Sequence, residues 1–262
     1  MKILLFGLLF SFISCQSKAK STNYLLYPLA DVQDTMQLSG NKNPKKAFSF
    51  PKNVKTILPA MPYRKEGKVY PITVKGKDWY EIYKDTKTNQ WKIRKADLKI
   101  SYGFDECAGV DIMTIHSKHK NSVLFFTPFD GLNQNPITLL EDKSLIPRKE
   151  IGFIMNGNNY ELSLSGKIYN EEGNPNSETK SFTLSFSSEK VKKYSIAVMS
   201  ERSDDTPKII WAGDLNDDGL PDMILDLSED YESRHIFFFL SDKNDKQKPL
   251  KKVGDAWVVF DC

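Results

Sequence analysis

The sequence has little of several residue types on which chemistry usually depends. Only three of its 262 residues are cysteine and only three are histidine. It contains no G-x-S-x-G, H-E-x-x-H or P-loop motif. The 37 lysine and arginine residues nearly balance the 34 acidic ones, leaving a net charge of +3. A balance of this kind gives no support to a nucleic-acid partner, and we expect none.

A short apolar run follows Lys2 and extends from Ile3 to Ile13. It is too short to cross a bilayer as a helix but suits the hydrophobic region of a signal peptide. The run ends at "FISC", which resembles the lipobox of bacterial lipoproteins. The resemblance implies cleavage after a signal peptide at 1–14, with Cys15 diacylated as the new N-terminus. The alternative is an ordinary signal peptide followed by a chance cysteine.

The polar stretch behind that cysteine predicts a flexible tether over 15–23. In lipoproteins of the proteobacterial type, an aspartate after the lipidated cysteine retains the protein at the inner membrane. Gln16 stands at that place here, so the resemblance favours a cell-envelope protein anchored by lipid in the outer membrane. Burial of two or three acyl chains would make that anchor stable.

Two cysteines remain once Cys15 is assigned to lipidation, namely Cys107 and Cys262. An even pair in an exported chain predicts a disulfide bond between them, because the compartments outside the cytosol are oxidising. Two free thiols are the alternative.

Alternation of apolar and polar residues dominates the second half of the chain and predicts β-strands. One face of "YELSLSGKI" carries Tyr160, Leu162, Leu164 and Ile168, and one face of "SFTLSFSS" carries Phe182, Leu184 and Phe186. The segments "YSIAVMS", "KIIWAG", "DMILDL", "RHIFFFLS" and "AWVVF" follow, separated by turn-forming residues. We therefore predict an all-β fold with antiparallel sheets.

The earlier segment, from about residue 54 to 100, has a different order of strand-like stretches and turns. A glycine-containing turn is followed by "WYEI", a loop and "QWKI", an order that resembles a bacterial SH3-like small barrel. A meander continuous with the C-terminal sheet is the alternative. We expect an N-terminal β-region over 24–104 and a larger antiparallel β-domain over 105–262.

A cluster of oxygen-bearing side chains lies near the C-terminus in "DLNDDGLPD". Asp214, Asn216 and Asp218 occupy positions one, three and five, Gly219 permits a sharp turn at six, and Asp222 stands at nine. Hard oxygen ligands without Cys or His favour Ca²⁺. The predicted ligands are these four side chains and the carbonyl of Leu220. A plain acidic hairpin turn is the alternative.

The same spacing resembles the FG-GAP/VCBS-type calcium loops of integrin propellers and of many exported bacterial proteins. An EF-hand is excluded because its twelfth position, Leu225, is not acidic. The chain has this loop once, whereas propellers repeat it. The resemblance therefore covers roughly residues 208 to 242 and implies one calcium-loop hairpin between two strands.

Two functional classes follow from these observations. The first is a non-enzymatic binding or scaffold lipoprotein with a structural calcium ion and an envelope protein or a glycan as partner. The second is an envelope hydrolase that acts on glycan or peptide, with Asp105, Glu106 and Asp111 as acid/base candidates. The absence of a catalytic motif favours the first.

Overall fold

A computed structural model describes residues 56–65, 72, 74–119, 121–166, 182–199, 206–229 and 231–259. These residues form sixteen strands and no helix, and all strand pairs are antiparallel. The expected all-β fold class is thus confirmed. The predicted signal peptide, tether and lipidation site at Cys15 lie outside the described residues, as does Cys262.

No part of the described chain forms a helix with the length and apolar character needed to cross a membrane.

The strands belong to four sheets, which we number I to IV. Sheet I contains β1 (Ile57–Pro59), β3 (Tyr80–Asp85), β4 (Gln90–Lys95) and β7 (Ser122–Phe126), in the order β1-β7-β3-β4. Sheet II contains β2 (Pro62–Arg64), β5 (Leu98–Asp105) and β6 (Val110–Ser117), in the order β2-β6-β5.

The other two sheets are built from the second half of the chain. Sheet III contains β8 (Thr138–Ser144), β13 (Lys208–Gly213), β14 (Asp222–Asp226), β15 (Ser233–Ser241) and β16 (Leu250–Val259), in the order β16-β15-β14-β13-β8. Sheet IV contains β9 (Glu150–Met155), β10 (Asn158–Ser165), β11 (Phe182–Ser188) and β12 (Tyr194–Met199), in the order β12-β11-β10-β9. The seven strand segments singled out in the sequence correspond to β10 to β16.

Sheet III is buried on both faces. Met223 and Leu225 of β14 belong to the hydrophobic cluster shared with sheet IV, whereas Ile224 between them belongs to the cluster shared with sheet I. In β15, Phe239 faces the first cluster and Phe238 the second. A strand that is buried on both faces has apolar residues at successive positions. This explains the uninterrupted apolar runs "MIL" in β14 and "IFFFL" in β15.

A third cluster lies between sheets I and II. It joins Leu58 and Phe125 of sheet I to Tyr63 and Met113 of sheet II, and Val258 at the end of β16 belongs to it. Hydrophobic packing therefore links the sheets in the sequence IV, III, I and II.

None of the four sheets closes on itself within the described residues. The closed small barrel considered for residues 54–100 is therefore not found there, and the strands of that segment are divided between open sheets I and II. Both sheets also take a strand from beyond residue 104, because β6 pairs with β2 and β5 while β7 pairs with β1 and β3.

Candidate functional site

The predicted metal loop connects two strands of the central sheet. β13 ends at Gly213 and β14 begins at Asp222, and these two residues are antiparallel partners. The loop is thus the connection of a β-hairpin, as the sequence predicted. The neighbouring chain segment lies close to it, because the N–H of Asn133 donates to the carbonyl of Leu215 at 2.7 Å.

Side chains of the loop fold back onto its own backbone. Asp214 accepts hydrogen bonds from the N–H of Asp218 (3.2 Å) and of Gly219 (3.0 Å). Asn216 Oδ1 accepts from the same Asp218 N–H at 3.2 Å. Gly219 has φ +83°, in the left-handed region that favours glycine. The oxygens at positions one and three thus converge on one N–H group, which gives the loop its tight curvature.

Asp222 is fully buried and has both carboxylate oxygens occupied. Oδ2 accepts from the N–H of Leu215 (2.6 Å) and of Asn216 (3.2 Å). Oδ1 accepts from the N–H (2.6 Å) and the hydroxyl (2.8 Å) of Ser241. Burial raises the pKa of Asp222 to about 8. These donors are neutral, so none of them supplies the positive charge that a buried carboxylate requires.

Ser241 is a member of the site that the sequence did not reveal. Its hydroxyl lies 2.9 Å from Asp218 Oδ1, 2.8 Å from Asp222 Oδ1 and 3.4 Å from the Leu220 carbonyl. These three oxygens are all among the predicted ligands. Because a hydroxyl has one proton, it can donate to only one of them. The local chemistry is therefore rich in acceptors and short of donors.

The loop's oxygens suit a hard cation, but its carboxylates do not meet at one point. No group of three or more His, Cys, Asp or Glu side chains in the described part of the chain is placed to hold a metal ion. Both oxygens of Asp222 accept hydrogen bonds from backbone N–H groups, those of Leu215, Asn216 and Ser241. Burial, with the charges of Asp218 and Asp217, raises the pKa of Asp214.

The carboxylates of the loop have no ion-pair partner among the described residues. The ion pairs found within 4.0 Å among the described residues include none with Asp214, Asp218 or Asp222. Three carboxyl groups therefore gather where only neutral donors oppose them. The donor set and its missing counter-charge fit a Ca²⁺ ion, and the metal site stays a prediction.

A cleft of about 240 Å³ opens beside the loop. Tyr160 and Phe186 of sheet IV line it together with Asp218 of the loop and Ser241 of β15. Lysines from the β11–β12 and β15–β16 connections also line it, and no sequence pattern relates these two connections. The predicted loop thus borders a concave surface large enough for a small ligand.

The acid/base candidates of the hydrolase alternative lie at the turn between β5 and β6. Asp105 Oδ1 accepts from the N–H of Cys107 and of Ala108, both at 3.1 Å, and Oδ2 is 2.9 Å from Arg64 Nη2. The bond from Ala108, together with Arg64, keeps the pKa of Asp105 below its ordinary value. A general acid needs the opposite shift.

The other two candidates are solvent-facing. Glu106 is exposed in the same turn. Asp111 is exposed and lies 3.0 Å from the ammonium group of Lys65. In this structure Asp105 therefore accepts hydrogen bonds within the turn, Glu106 is exposed to solvent, and Asp111 forms an ion pair with Lys65.

Cys107 is disulfide-bonded, and its partner lies outside the described residues. The chain has two other cysteines, Cys15 and Cys262. The predicted pairing with Cys262 stays a prediction.

No family model matches this chain, and no curated protein and no solved structure matches it either. The loop and the cleft therefore have to be interpreted from their own chemistry.

Proposed function

We propose that this protein is a lipid-anchored, non-enzymatic binding protein of the cell envelope whose β-fold is stabilised by Ca²⁺ in the β13–β14 loop. The observation that supports the metal is the uncompensated set of loop carboxylates, one of them fully buried. The anchor rests on the lipobox-like "FISC" and favours the outer membrane.

The ion would be held by the side chains of Asp214, Asn216, Asp218 and Asp222 and by the carbonyl of Leu220. Carboxylate, amide and carbonyl oxygens are ligands that Ca²⁺ takes in proteins, and the remainder of its six to eight positions would be filled by the second oxygen of a carboxylate or by water. When bound, the ion supplies the positive charge that the loop lacks and ties β13 to β14. Its role would be structural. The side chains of the loop already form hydrogen bonds within the turn, and the bound ion would add to them.

A binding role is supported by the cleft beside the loop, whose lining comes from two sheets and three loops. The hydrolase alternative gains no observation in its favour. Asp105 and Asp111 are each engaged with a basic side chain, and neither lines the cleft.

Calcium-dependent melting tests the metal part of the proposal. With free calcium at ten to a hundred times the dissociation constant, linkage predicts roughly 1.4–2.7 kcal/mol of stabilisation. Asp218→Asn replaces a predicted carboxylate ligand by a neutral amide of nearly the same size, which weakens Ca²⁺ binding, and should therefore abolish most of this gain. Asp217→Asn is the matched control, because it removes a neighbouring charge from an exposed residue that is not a predicted ligand. Its calcium response should resemble that of the wild type.

Two results would contradict the calcium site. Wild-type melting that does not change at millimolar calcium would identify the loop as a plain acidic turn. An equal loss of response in Asp217→Asn and Asp218→Asn would mean that calcium only screens the charges of the loop.

Fractionation tests the anchor separately. Cys15→Ser should move the protein from the membrane fraction to the soluble fraction, because acylation at that residue is lost. Cys107→Ser, which also removes one cysteine but not the predicted acylation site, should remain with the membrane. A Cys15→Ser variant that fractionates like the wild type would exclude the lipid anchor.

A further inference from the structure

The outer edge of sheet II carries a stripe of exposed apolar side chains. β5 is the last strand of that sheet within the described residues, and Ile100, Tyr102 and Phe104 alternate along one of its faces. Tyr102 and Phe104 are 67% and 59% exposed, whereas Ile115 and Met113 on the same face of β6 are buried in the third cluster. The apolar face of sheet II thus extends beyond the part that sheet I covers.

β5 also lacks the features that usually protect the edge of a sheet. Such edges are commonly short, interrupted by bulges or rich in charge. β1 and β2 have three residues each, β8, β12 and β16 pair with their neighbours through irregular registers, and β4 carries Lys92, Arg94 and Lys95. β5 has eight residues and an unbroken register with β6, and Lys99 is the one charged residue in its interior. A strand of this kind favours pairing with another strand.

Backbone groups of β5 point toward the same open side. In an antiparallel pair, residues whose N–H and C=O face the partner alternate with residues whose groups face away. The carbonyl of Asp97, directly before β5, accepts from the N–H of Lys118, directly after β6. From Asp97 onward, this alternation directs the N–H and C=O of Ile100 and Phe104 away from β6. These groups can therefore form main-chain hydrogen bonds with a strand that is added at the edge.

A second copy of β5 matches this edge in an antiparallel register. With Tyr102 on a twofold axis, Ile100 of each copy lies opposite Phe104 of the other, on the apolar face. Lys99 lies opposite Asp105 on the other face. Aliphatic–aromatic pairs and pairs of opposite charge both stabilise neighbouring strands.

Charge supports this register over its neighbour. Lys99 is exposed and forms no ion pair within 4.0 Å among the described residues. Asp105 is already paired with Arg64, but Glu106 beside it is exposed and has no ion pair in the described part of the chain. Lys99 of one copy thus meets the acidic turn of the other. A register with Ser101 on the axis would move Lys99 away from that turn.

We infer that two copies of this protein form a symmetric dimer through their β5 strands, which join the two copies of sheet II into one continuous sheet. The contact is self-complementary, as a twofold interface requires. It removes the exposed apolar stripe of β5 from water and gives the outward-facing backbone groups of Ile100 and Phe104 a partner. Neither Ca²⁺ nor the lipid anchor takes part in it.

Sedimentation equilibrium of the full-length chain in density-matched detergent tests the dimer. The protein mass should rise from one chain to two as the concentration increases. Phe104→Ser should raise the dissociation constant at least about tenfold, because each copy loses an apolar contact. Ile154→Ser is the matched control and should leave the dimer unchanged, because Ile154 is similarly exposed on β9, an edge strand of sheet IV.

A charge reversal tests the contact between Lys99 and the acidic turn. Lys99→Asp places like charges opposite each other twice in the dimer and should raise the dissociation constant about two- to thirtyfold. Lys190→Asp makes the same change in net charge at an exposed residue of the β11–β12 connection. It should leave the dissociation constant as in the wild type.

Cysteine cross-linking tests the register. Residues on the axis have their Cα atoms about 5.5 Å apart in a hydrogen-bonded pair, which a disulfide can bridge. Tyr102→Cys should therefore give a covalent dimer under mild oxidation. Ser101→Cys should cross-link far more slowly, since its two copies would lie more than about 7 Å apart.

Three results would overturn the inference. A mass of one chain at all concentrations up to the order of 100 µM would exclude the dimer and leave the edge of β5 to a segment of the same chain or to a different protein. Equal weakening by Phe104→Ser and Ile154→Ser would mean that the dimer does not form through β5. Faster cross-linking of Ser101→Cys than of Tyr102→Cys would contradict the register and its charge contact.

Discussion

Ser241 and Asp222 are joined by two hydrogen bonds although they are 19 residues apart. The Ser241 N–H and hydroxyl donate to the same carboxylate oxygen, at 2.6 and 2.8 Å. The other oxygen of Asp222 accepts from the backbone of Leu215 and Asn216. One buried carboxylate thus connects the end of β15 to the loop that precedes β14, so the position of the loop depends on a residue outside it.

Ser241→Ala should therefore destabilise the protein even without calcium. The substitution removes one donor from a fully buried carboxylate, which we expect to cost about 1–3 kcal/mol of unfolding free energy. Denaturant unfolding in the presence of a chelator measures it. Ser195→Ala is the control, because Ser195 is exposed on β12 and should change stability by less than about 0.5 kcal/mol. Equal effects of the two variants would mean that the hydroxyl does not support Asp222.

Gly131, in the segment before β8, lies close to the backbone of the loop. A Cβ at Gly131 would lie 2.5 Å from the carbonyl oxygen of Asn216, and Gly131 has φ +78°. Gly109 has a similar φ of +67°, with nothing within 4 Å of its Cβ position. Both glycines thus adopt a left-handed backbone conformation, but only at Gly131 would an added Cβ meet another part of the chain.

Gly131→Ala should consequently be the more damaging of two matched substitutions. Gly109→Ala should cost about 1–2 kcal/mol, the penalty of a left-handed conformation for an L-residue. Gly131→Ala should cost more, because the added methyl group must displace the backbone of the loop, and it should also weaken the calcium response. Thermal melting of both variants with and without calcium measures these effects. A smaller loss for Gly131→Ala than for Gly109→Ala would contradict the close approach.

Local patterns in the sequence predicted the strands that flank the loop, because alternation and turn residues act over a few positions. They also singled out the oxygen-bearing side chains of the loop, as calcium ligands and not as acceptors of hydrogen bonds from its own backbone. Ser241 escaped detection, since nothing near it in sequence relates it to Asp222. Tyr160 was correctly expected on an apolar face, and it packs in the same hydrophobic cluster as Leu162 and Leu164. The stacking of four sheets depends on distant pairings such as β1 with β7, which periodicity does not specify.

An ion pair between sheets III and I should give the protein a defined sensitivity to acid. Glu141 of β8 accepts a hydrogen bond from Lys84 of β3 at 2.8 Å and another from the indole of Trp91. The bond from Lys84, followed by that from Trp91, lowers the pKa of Glu141 from 4.5. A carboxyl group whose pKa is lower when folded stabilises the protein above its ordinary pKa, and this contribution is lost as the pH falls through the folded value.

The stability difference between wild type and Glu141→Gln should therefore be largest near neutral pH and shrink as the pH falls below 4.5. Denaturant unfolding at several pH values measures it. Glu106→Gln removes an exposed glutamate and serves as the control for a change in net charge. A difference that grows on acidification would contradict the assigned direction of the pKa shift.

The partner of Cys107 in its disulfide bond is either Cys262, near the C-terminus, or Cys15, near the N-terminus. Val258 packs in the same hydrophobic cluster as Tyr63 and Met113, and Met113 lies on β6, whose hairpin turn with β5 carries Cys107. The chain from Val259 to Cys262 spans three residues, a reach of about 10 Å. The lipobox-like motif assigns Cys15 to acylation, which leaves Cys262 as the predicted partner of Cys107.

Peptide mapping without reduction should recover Cys107 linked to Cys262. Cys262→Ser should then release a free thiol at Cys107 and lower stability by up to about 5 kcal/mol, because the bond closes a loop of more than 100 residues. Cys15→Ser should leave the linkage intact and serves as the control. A peptide joining Cys107 to Cys15 would contradict the pairing and, since a cysteine in a disulfide cannot be acylated on its sulfur, the lipid anchor as well.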